Sequence, residues 1–363
     1  MARPFFAARL EDRLNTKLGD VVRSRGWNER VIAYTGYGSS KFIRVLARVV
    51  FTPPMDGSDD EHRIIPDLAD TLLQRRGWRN FFTAPAVNHR VNATIDGHTY
   101  QVATDRNGYV DSRLPVRGLQ PGWHEIRLQC GDSEPVEAPI MVVDPEQTWG
   151  LVSDIDDTVI STSLPRPLLA AWNTFVVHES ARQAVAGMSE MYRSLMAEHP
   201  QAPIIYVSTG AWNTAPTLIR FLKHHRFPIG PLLLTDWGPT NSGWFRSGQE
   251  HKRMALRDLA IDFPKIQWIL IGDDGQHDPS IYGEFAEAHP DRVNVVAIRQ
   301  LTPGEQVLAH GTLAPISADE LDDADAEVPE VRAEDGYELQ PLLQQAIEGQ
   351  LDTRAARANA NPR

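Results

Sequence analysis

Between Gly150 and Ile160 a short apolar run, Leu151-Val152, leads into Ser153-Asp154-Ile155-Asp156-Asp157-Thr158. Apolar residues followed at once by carboxylates read as a buried parallel strand that delivers acids to the open edge of a sheet, where such folds bind ligands. Three acids within four residues repel one another, so the cluster is costly unless a cation or a proton is shared among them. A divalent metal is the simplest remedy, and magnesium takes one or two carboxylates together with water and phosphate oxygens. The bland alternative is an acidic turn on a surface.

Three later stretches complement those acids. Ile204-Ile205-Tyr206-Val207 ends at Ser208-Thr209-Gly210, a hydroxyl pair able to hydrogen-bond an oxyanion. Glu250-His251-Lys252 opens a helical pattern, which puts an ammonium near a helix N-terminus, where the dipole disfavours cations. A lysine in that place answers an anion, or else is an ordinary solvated side chain. Ile266 to Ile271 is a second apolar strand, ending at Gly272-Asp273-Asp274-Gly275-Gln276-His277-Asp278. Carboxylates again follow a buried strand, and two such clusters weigh against surface decoration.

In this order, Asp-x-Asp-x-Thr after one strand, Ser after the next, Lys at a helix start and Gly-Asp with another Asp five residues on, the set resembles the haloacid dehalogenase superfamily of phosphotransferases over roughly residues 149 to 300. Ser153 to Thr158, Tyr206-Val207-Ser208, His251-Lys252 and Ile271 to Pro279 look like the magnesium-dependent phosphatidate phosphatase family first recognised in an actin-patch protein. Tyr34-Thr35-Gly36-Tyr37-Gly38 and Arg44-Val45-Leu46 are similar to a stretch that the same family carries upstream. Ser208-Thr209-Gly210 departs from it, because Ser-Asn or Ser-Ser is expected there.

The resemblance implies that Asp154 attacks phosphorus to form an aspartyl phosphate and that Asp156 protonates the leaving alkoxide, then activates water. It implies a Mg²⁺ site of Asp154, the backbone carbonyl of Asp156, and Asp273, with Asp278 as an outer or additional carboxylate. Ser208 and Lys252, with Thr209 beside them, would bind phosphoryl oxygens. Asp157 and Thr158 would shape the loop. The substrate so implied is a phosphate ester, phosphatidate above all, giving diacylglycerol and phosphate. A soluble phosphomonoester or a phosphoprotein would engage the same residues, and a non-catalytic adaptor using its β-rich region to bind a partner is the alternative of another class.

These residues need a scaffold. From 145 to 300 strand and helix patterns alternate: Trp149 to Ser153, a helix near Ala184 to His199, Pro203 to Val207, a helix from Asn213 or Thr214 to Arg226 with Pro216 in its first turn, Leu232 to Leu234, a helix over Glu250 to Ala260, Ile266 to Ile271, a helix after Pro279, and Val293 to Ile298. Such alternation gives a mostly parallel α/β sheet with helices on both faces, and the resemblance makes it haloacid-dehalogenase-like and Rossmannoid. Residues 31 to 144 read instead as short strands: Ile43, Val45, Ala47 and Val49 recur at period two, and Asp96-Gly97 and Asn107-Gly108 are hairpin signals. This predicts an all-β sandwich of immunoglobulin or transthyretin-like type. Thr35 to Lys41 superficially resembles a phosphate loop, but lacks the Gly-Lys-Ser/Thr ending and precedes a strand pattern.

Residues 1 to 30 carry an amphipathic helix pattern, Phe6, Leu10, Leu14, Leu18 and Val22 against Arg9, Arg13 and Lys17. It suits packing on the protein or lying at a membrane interface. Asp67 to Arg76 reads as a helical insertion. Only about 25 residues separate Thr158 from the helix near Ala184, too few for a large cap domain. Trp172, Phe175, Trp212, Trp237, Trp244 and Phe245 flank the motifs, as lipid contacts or as core. Residues 301 to 363 are read as an acidic, mostly disordered tail with a short helix at Leu339 to Ile347.

Composition bounds the rest. Of a net charge of −12 over 363 residues, the part after Gln300 holds 13 acids and 4 bases, so the body is near neutral and lacks the basic stripe of a nucleic-acid binder. A single cysteine, Cys130, excludes an internal disulfide and suits a reducing compartment. With no secretory pattern at Met1 to Asp12 and no bilayer-length apolar run, a cytoplasmic protein with at most peripheral membrane contact is expected.

Overall fold

The computed structural model describes residues 24, 26–53, 84–161, 183–235, 248–310 and 327–360. Contacts divide the chain between Val142 and Val143 into two compact units. The expected N-terminal helix over Phe6 to Val22, the insertion at Asp67 to Arg76, and Trp172, Phe175, Trp237, Trp244 and Phe245 lie outside the described residues.

The first unit is built of β1 (Asn28–Ala33), β2 (Gly36–Ser39), β3 (Phe42–Thr52), β4 (Ala84–Pro85), β5 (Arg90–Ile95), β6 (His98–Ala103), β7 (Tyr109–Pro115), β8 (Gly122–Cys130) and β9 (Val136–Val143). These nine strands join in one sheet along the path β1-β3-β2-β9-β8-β5-β6, with β4 and β7 also on β3. β3 is antiparallel to β1, β2, β4 and β7. Its period-two residues Ile43, Val45, Ala47, Val49 and Phe51 enter one core with Val91, Ala93, Ile126, Leu128 and Ile140. Asp96 and Gly97 both have positive φ, 47° and 73°, as the tight turn between β5 and β6 requires. Asn107-Gly108 is not such a hairpin, since the chain leaving it forms β7, which pairs with β3 rather than β6. The glycine-rich stretch is strand β2: a Cβ on Gly36 would collide with the Arg44 carbonyl, and one on Gly38 with that of Phe42, so close approach to β3 is what the glycines serve.

The second unit alternates as expected, through β10 (Trp149–Ser153), β11 (Ile160–Ser161), β12 (Gln183–Ala184), α1 (Met188–Glu198), β13 (Ile204–Ala211), α2 (Ala215–His224), β14 (Leu232–Thr235), α3 (Gly248–Asp262), β15 (Gln267–Asp273), α4 (Asp278–Ala288), β16 (Val293–Arg299), α5 (Pro303–His310), β17 (Glu330–Ala333) and α6 (Gly336–Ala360). The main sheet has six strands in the order β14-β13-β10-β15-β16-β17, with every pair parallel. β10 and β16 are buried along their whole length, which is why they read as continuous apolar runs. The chain builds outward from β10 through β13 to β14, then returns to lay β15 on the other side of β10. The order therefore reverses between β10 and β15, the place where open parallel sheets bind ligands.

Boundaries differ from the sequence reading in instructive ways. Gln183 and Ala184 pair with β11, so the helix expected near Ala184 starts at Met188. The next helix is preceded by a 3₁₀ turn at Trp212–Thr214 and closes at His224, two residues before Arg226, whose φ is +60°. Trp212 is buried, so packing and not lipid is its role.

The larger correction concerns the tail. Far from mostly disordered in its described part, it supplies the sixth strand and a long helix. β17 pairs with β16 from Val296↔Glu330 to Arg299↔Ala333, and α6 opens on Asp335, whose Oδ1 accepts the amides of Tyr337 and Glu338 at 2.9 and 3.0 Å. Leu339 and Leu343 of α6 are fully buried. Leu343→Ala is accordingly expected to cost about 2–5 kcal/mol of stability, whereas Leu351→Ala, at a largely exposed position, should stay within about 0.5 kcal/mol. Urea denaturation of the two variants checks this, and equal small effects would show that α6 is not part of the folded unit.

Candidate active site

Ser153, the last residue of β10, pairs with Ile271 of β15 on one side and Tyr206 of β13 on the other. The chains that run out of these three strands therefore bring Asp154, Asp273 and Ser208 to one edge. Asp154 is fixed by its own amide, which donates to the Ile271 carbonyl at 2.8 Å. Asp273 is the last residue of β15, and Asp278 opens α4 with Pro279 behind it, an arrangement that starts a helix well. Gly272 lets Asp278 approach: a Cβ there would lie 2.5 Å from Asp278 Oδ2. All three carboxylates are at most 1% exposed, and each offers an oxygen within 4.8 Å of the others.

Lys252 reaches into this acid cluster, buried at 2% exposure. Its Nζ lies 2.5 Å from Asp278 Oδ1 and 2.7 Å from Asp154 Oδ1, the second at ion-pair distance but without hydrogen-bond alignment. As the fifth residue of α3 it stands past the first turn, so the helix dipole is not what explains it; the carboxylates are. Burial alone would lower the Lys252 pKa, but Asp154, Asp278 and Asp273 outweigh it and hold the ammonium charged. Burial pushes the carboxyls of Asp154 and Asp273 well above the ordinary range, with neighbouring acids adding to the effect and Lys252 opposing it. One ammonium among three buried carboxylates leaves negative charge unanswered. Asp273 Oδ1 is buried without a hydrogen-bond partner among the described residues. An all-oxygen set of this kind, with an orphaned oxygen, fits a hard divalent cation.

Asp156 stands apart from that triad. Its Oδ2 accepts from Ser208 Oγ at 2.8 Å, and its carbonyl from Gln276 Nε2 at 3.4 Å. Its side chain therefore belongs with Ser208, which is itself fully buried and accepts the Gly210 amide at 2.9 Å. Thr209 is partly buried next to it, its carbonyl accepting from Thr235 Oγ1 at 2.7 Å. Thr158 lies between the acid clusters, its Oγ1 3.4 Å from both Asp154 Oδ2 and Asp273 Oδ2. Beneath Asp154, the fully buried Tyr192 hydroxyl meets Ser153 Oγ at 2.7 Å, so the strand end is anchored by side chains as well as backbone.

Two buried polar residues here escape a reading by motif. Asp274 accepts the Leu301 amide at 2.8 Å and Gln306 Nε2 at 2.9 Å, and so ties the loop after β15 to the start of α5. Arg299 ends the wholly buried β16 and donates to the Asp157 carbonyl at 2.8 Å. The signal available was the one that exposed Asp154, a charged residue closing an apolar strand.

The site makes a chemical proposition that known proteins bear on. Residues 149–300 match the family model of the phosphatidate phosphatase APP1 catalytic domain. Phosphatidate phosphatase APP1 of Saccharomyces cerevisiae is 29% identical over 153 residues, which is 41% of this chain and 25% of that protein. An uncharacterized protein of Schizosaccharomyces pombe is 27% identical over 214 residues, 56% of this chain and 34% of its own length. The chain thus spans only a minority of the curated relatives it matches. Among solved structures, a carbohydrate acetylesterase from Xanthomonas citri aligns over 89% of this chain and 76% of its own, at 11% identity and a TM-score of 0.29, a likeness too slight to say anything of fold. Residues 149–300, which hold every acid of the cluster and Lys252, are thus similar to the phosphatidate phosphatase APP1 catalytic domain.

Proposed function

We propose that the second unit is a Mg²⁺-dependent phosphomonoester hydrolase that works through an aspartyl phosphate on Asp154, and that its substrate is phosphatidate, released as diacylglycerol and phosphate. The observation that carries this is the buried set of Asp154, Asp273, Asp278 and Lys252 at the point where the strand order reverses. The sheet is read as haloacid-dehalogenase-like, and the first unit as an immunoglobulin or transthyretin-like sandwich.

In this mechanism an Asp154 oxygen bonds to phosphorus as the bond from phosphorus to the lipid alkoxide breaks. Asp156 gives that alkoxide its proton. Asp156 then takes a proton from water, whose oxygen displaces Asp154 from phosphorus and frees phosphate. Lys252 neutralises the phosphoryl oxygens as they draw near Asp154. A hydroxyl donates once, so Ser208 must turn from Asp156 Oδ2 to a phosphoryl oxygen, and Asp156 is then free to carry the proton. Asp154, Asp273 and Asp278, with the Asp156 carbonyl, would hold the cation, which when bound supplies counter-charge to nucleophile and phosphoryl group alike.

The enzyme is proposed to act in the cytoplasm, meeting its lipid at the membrane surface; no helix among the described residues is long and apolar enough to cross a membrane. Phosphate release from phosphatidate in mixed micelles tests the reading. Release is expected with Mg²⁺, falling to the rate without enzyme in excess EDTA. Turnover of soluble phosphomonoesters but not of phosphatidate would retain the chemistry and overturn the substrate; no release from any ester would overturn both.

A further inference from the structure

Arg299 is a buried charge for which the mechanism above has no use. At 5% exposure it cannot rely on water, and a buried guanidinium is costly unless its fork of donors is filled. Nη1 donates to the Asp157 carbonyl at 2.8 Å, Nη2 to Glu305 Oε1 and Oε2 at 2.7 and 2.8 Å, and Nε to the Glu334 carbonyl at 3.0 Å. Glu305 is held in turn. It accepts the Thr302 amide at 2.9 Å, the Thr302 hydroxyl at 3.0 Å and Ser161 Oγ at 3.1 Å. Thr302 Oγ1 accepts the Glu305 amide at 3.4 Å, which closes a reciprocal cap at the start of α5.

What the guanidinium grips is unusual backbone. Asp157 has φ +61°, left-handed for a residue with a Cβ, a strained conformation that persists only where the surroundings fix it. Its amide donates to the Ile160 carbonyl at 2.8 Å, and its carbonyl is held by Arg299. Asp156 is the residue immediately before. If the Asp157 peptide rotated, the Asp156 carboxylate would swing away from Ser208 and from any phosphoryl group beside Asp154.

We propose that Arg299 is a positioning residue: anchored on Glu305 and Glu334, both beyond the segment matched to the catalytic family, it locks the left-handed Asp157 peptide and so aims the Asp156 carboxylate at the leaving group. This rests on the phosphomonoesterase reading, and it separates from a general structural role through the leaving group. A proton from Asp156 matters when an alkoxide departs and matters little when a nitrophenolate does.

The test uses the full chain with Arg299→Lys, which keeps the charge but not the fork, and Glu305→Gln, which loosens the same anchor. With Arg299→Lys, kcat on phosphatidate is expected to fall about 100-fold and kcat on p-nitrophenyl phosphate less than about threefold, with little change in KM. Glu305→Gln should show the same split at smaller size. Amide exchange at Asp157 and Ile160 should quicken in Arg299→Lys while that of Ile269 to Ile271 in the core strand does not. Equal losses on both esters, or unchanged exchange at Asp157 and Ile160, would overturn the proposal. Should the wild-type protein cleave neither ester, the phosphomonoesterase reading fails by itself, and exchange alone then decides whether Arg299 holds the loop.

Discussion

Asp154→Asn is expected to lower turnover by about 10⁴-fold or more while leaving the metal-free protein at least as stable as the wild type. The first half follows from chemistry: an amide nitrogen or oxygen of the same shape does not attack phosphorus, and removing a covalent nucleophile costs losses of this order. The second half follows from electrostatics. Burial, helped by Asp278 and Asp156 and opposed by Lys252, holds the Asp154 carboxyl above the ordinary range. A carboxyl whose folded pKa exceeds its unfolded one binds its proton more tightly when folded. Its ionisation therefore weighs against the folded state, and stability drains away as pH rises from about 4, the unperturbed value, toward the raised one. Asparagine carries no such charge. In EDTA the wild-type denaturation midpoint should fall between pH 5 and pH 8, and that of Asp154→Asn should fall less. Undiminished turnover by the purified variant would end the nucleophile assignment. A steeper pH slope in the variant than in the wild type would contradict the electrostatic account.

The sign matters because it explains why the cluster was legible at all. Leu151-Val152 followed by Asp154, and Ile269 to Ile271 followed by Asp273, are places where local preference and chemistry conflict, and a buried acid at a strand end has few bland explanations. Ser208 and Lys252 were readable only in company with them. Lys252 was expected to answer an anion, and the anions are three carboxylates on other elements, which its own helix does not announce. Arg299 could not be assigned a role. Two of its three partners are backbone carbonyls, of Asp157 and Glu334, and a carbonyl has no side chain to announce it. The strand order could not be read either, because alternation predicts parallel pairing without saying that β15 returns to the far side of β10. In the tail, acidic composition masked Glu330-Val331-Arg332-Ala333, four residues with little intrinsic strand signal that become β17 because β16 offers them an open edge. Composition speaks for segments that fold alone; an edge strand is decided by its neighbour.

Lys252→Met carries the other large expectation, about 3–5 kcal/mol of lost stability at pH 8 in the absence of metal. The substitution keeps the unbranched stem and removes only the ammonium, which leaves the buried Asp154, Asp273 and Asp278 facing one another with no cation. Breaking a buried ion pair from one side has costs of this size because the remaining charges stay desolvated. At pH 5 the carboxyls of Asp154 and Asp273, which burial holds above the ordinary range, can relieve the repulsion by taking up protons, so the loss should shrink as pH falls. Mg²⁺ should relieve it in another way, by binding the folded state alone, with about 2.7 kcal/mol recovered at a hundred times its dissociation constant. Urea denaturation at the two pH values, with Mg²⁺ or EDTA, measures all of this. Equal stability of Lys252→Met and wild type at pH 8 in EDTA would mean that Lys252 answers none of the three carboxylates. The pairing with Asp154 is open to a stricter check. Asp154 and Lys252 stand 2.7 Å apart, and residues in contact couple. With Asp154→Asn already made, one of the repelling charges is gone, so adding Lys252→Met should destabilise the protein less than it does alone. Simple additivity would mean that the ammonium serves Asp278 and Asp273 and that Asp154 is held by something else.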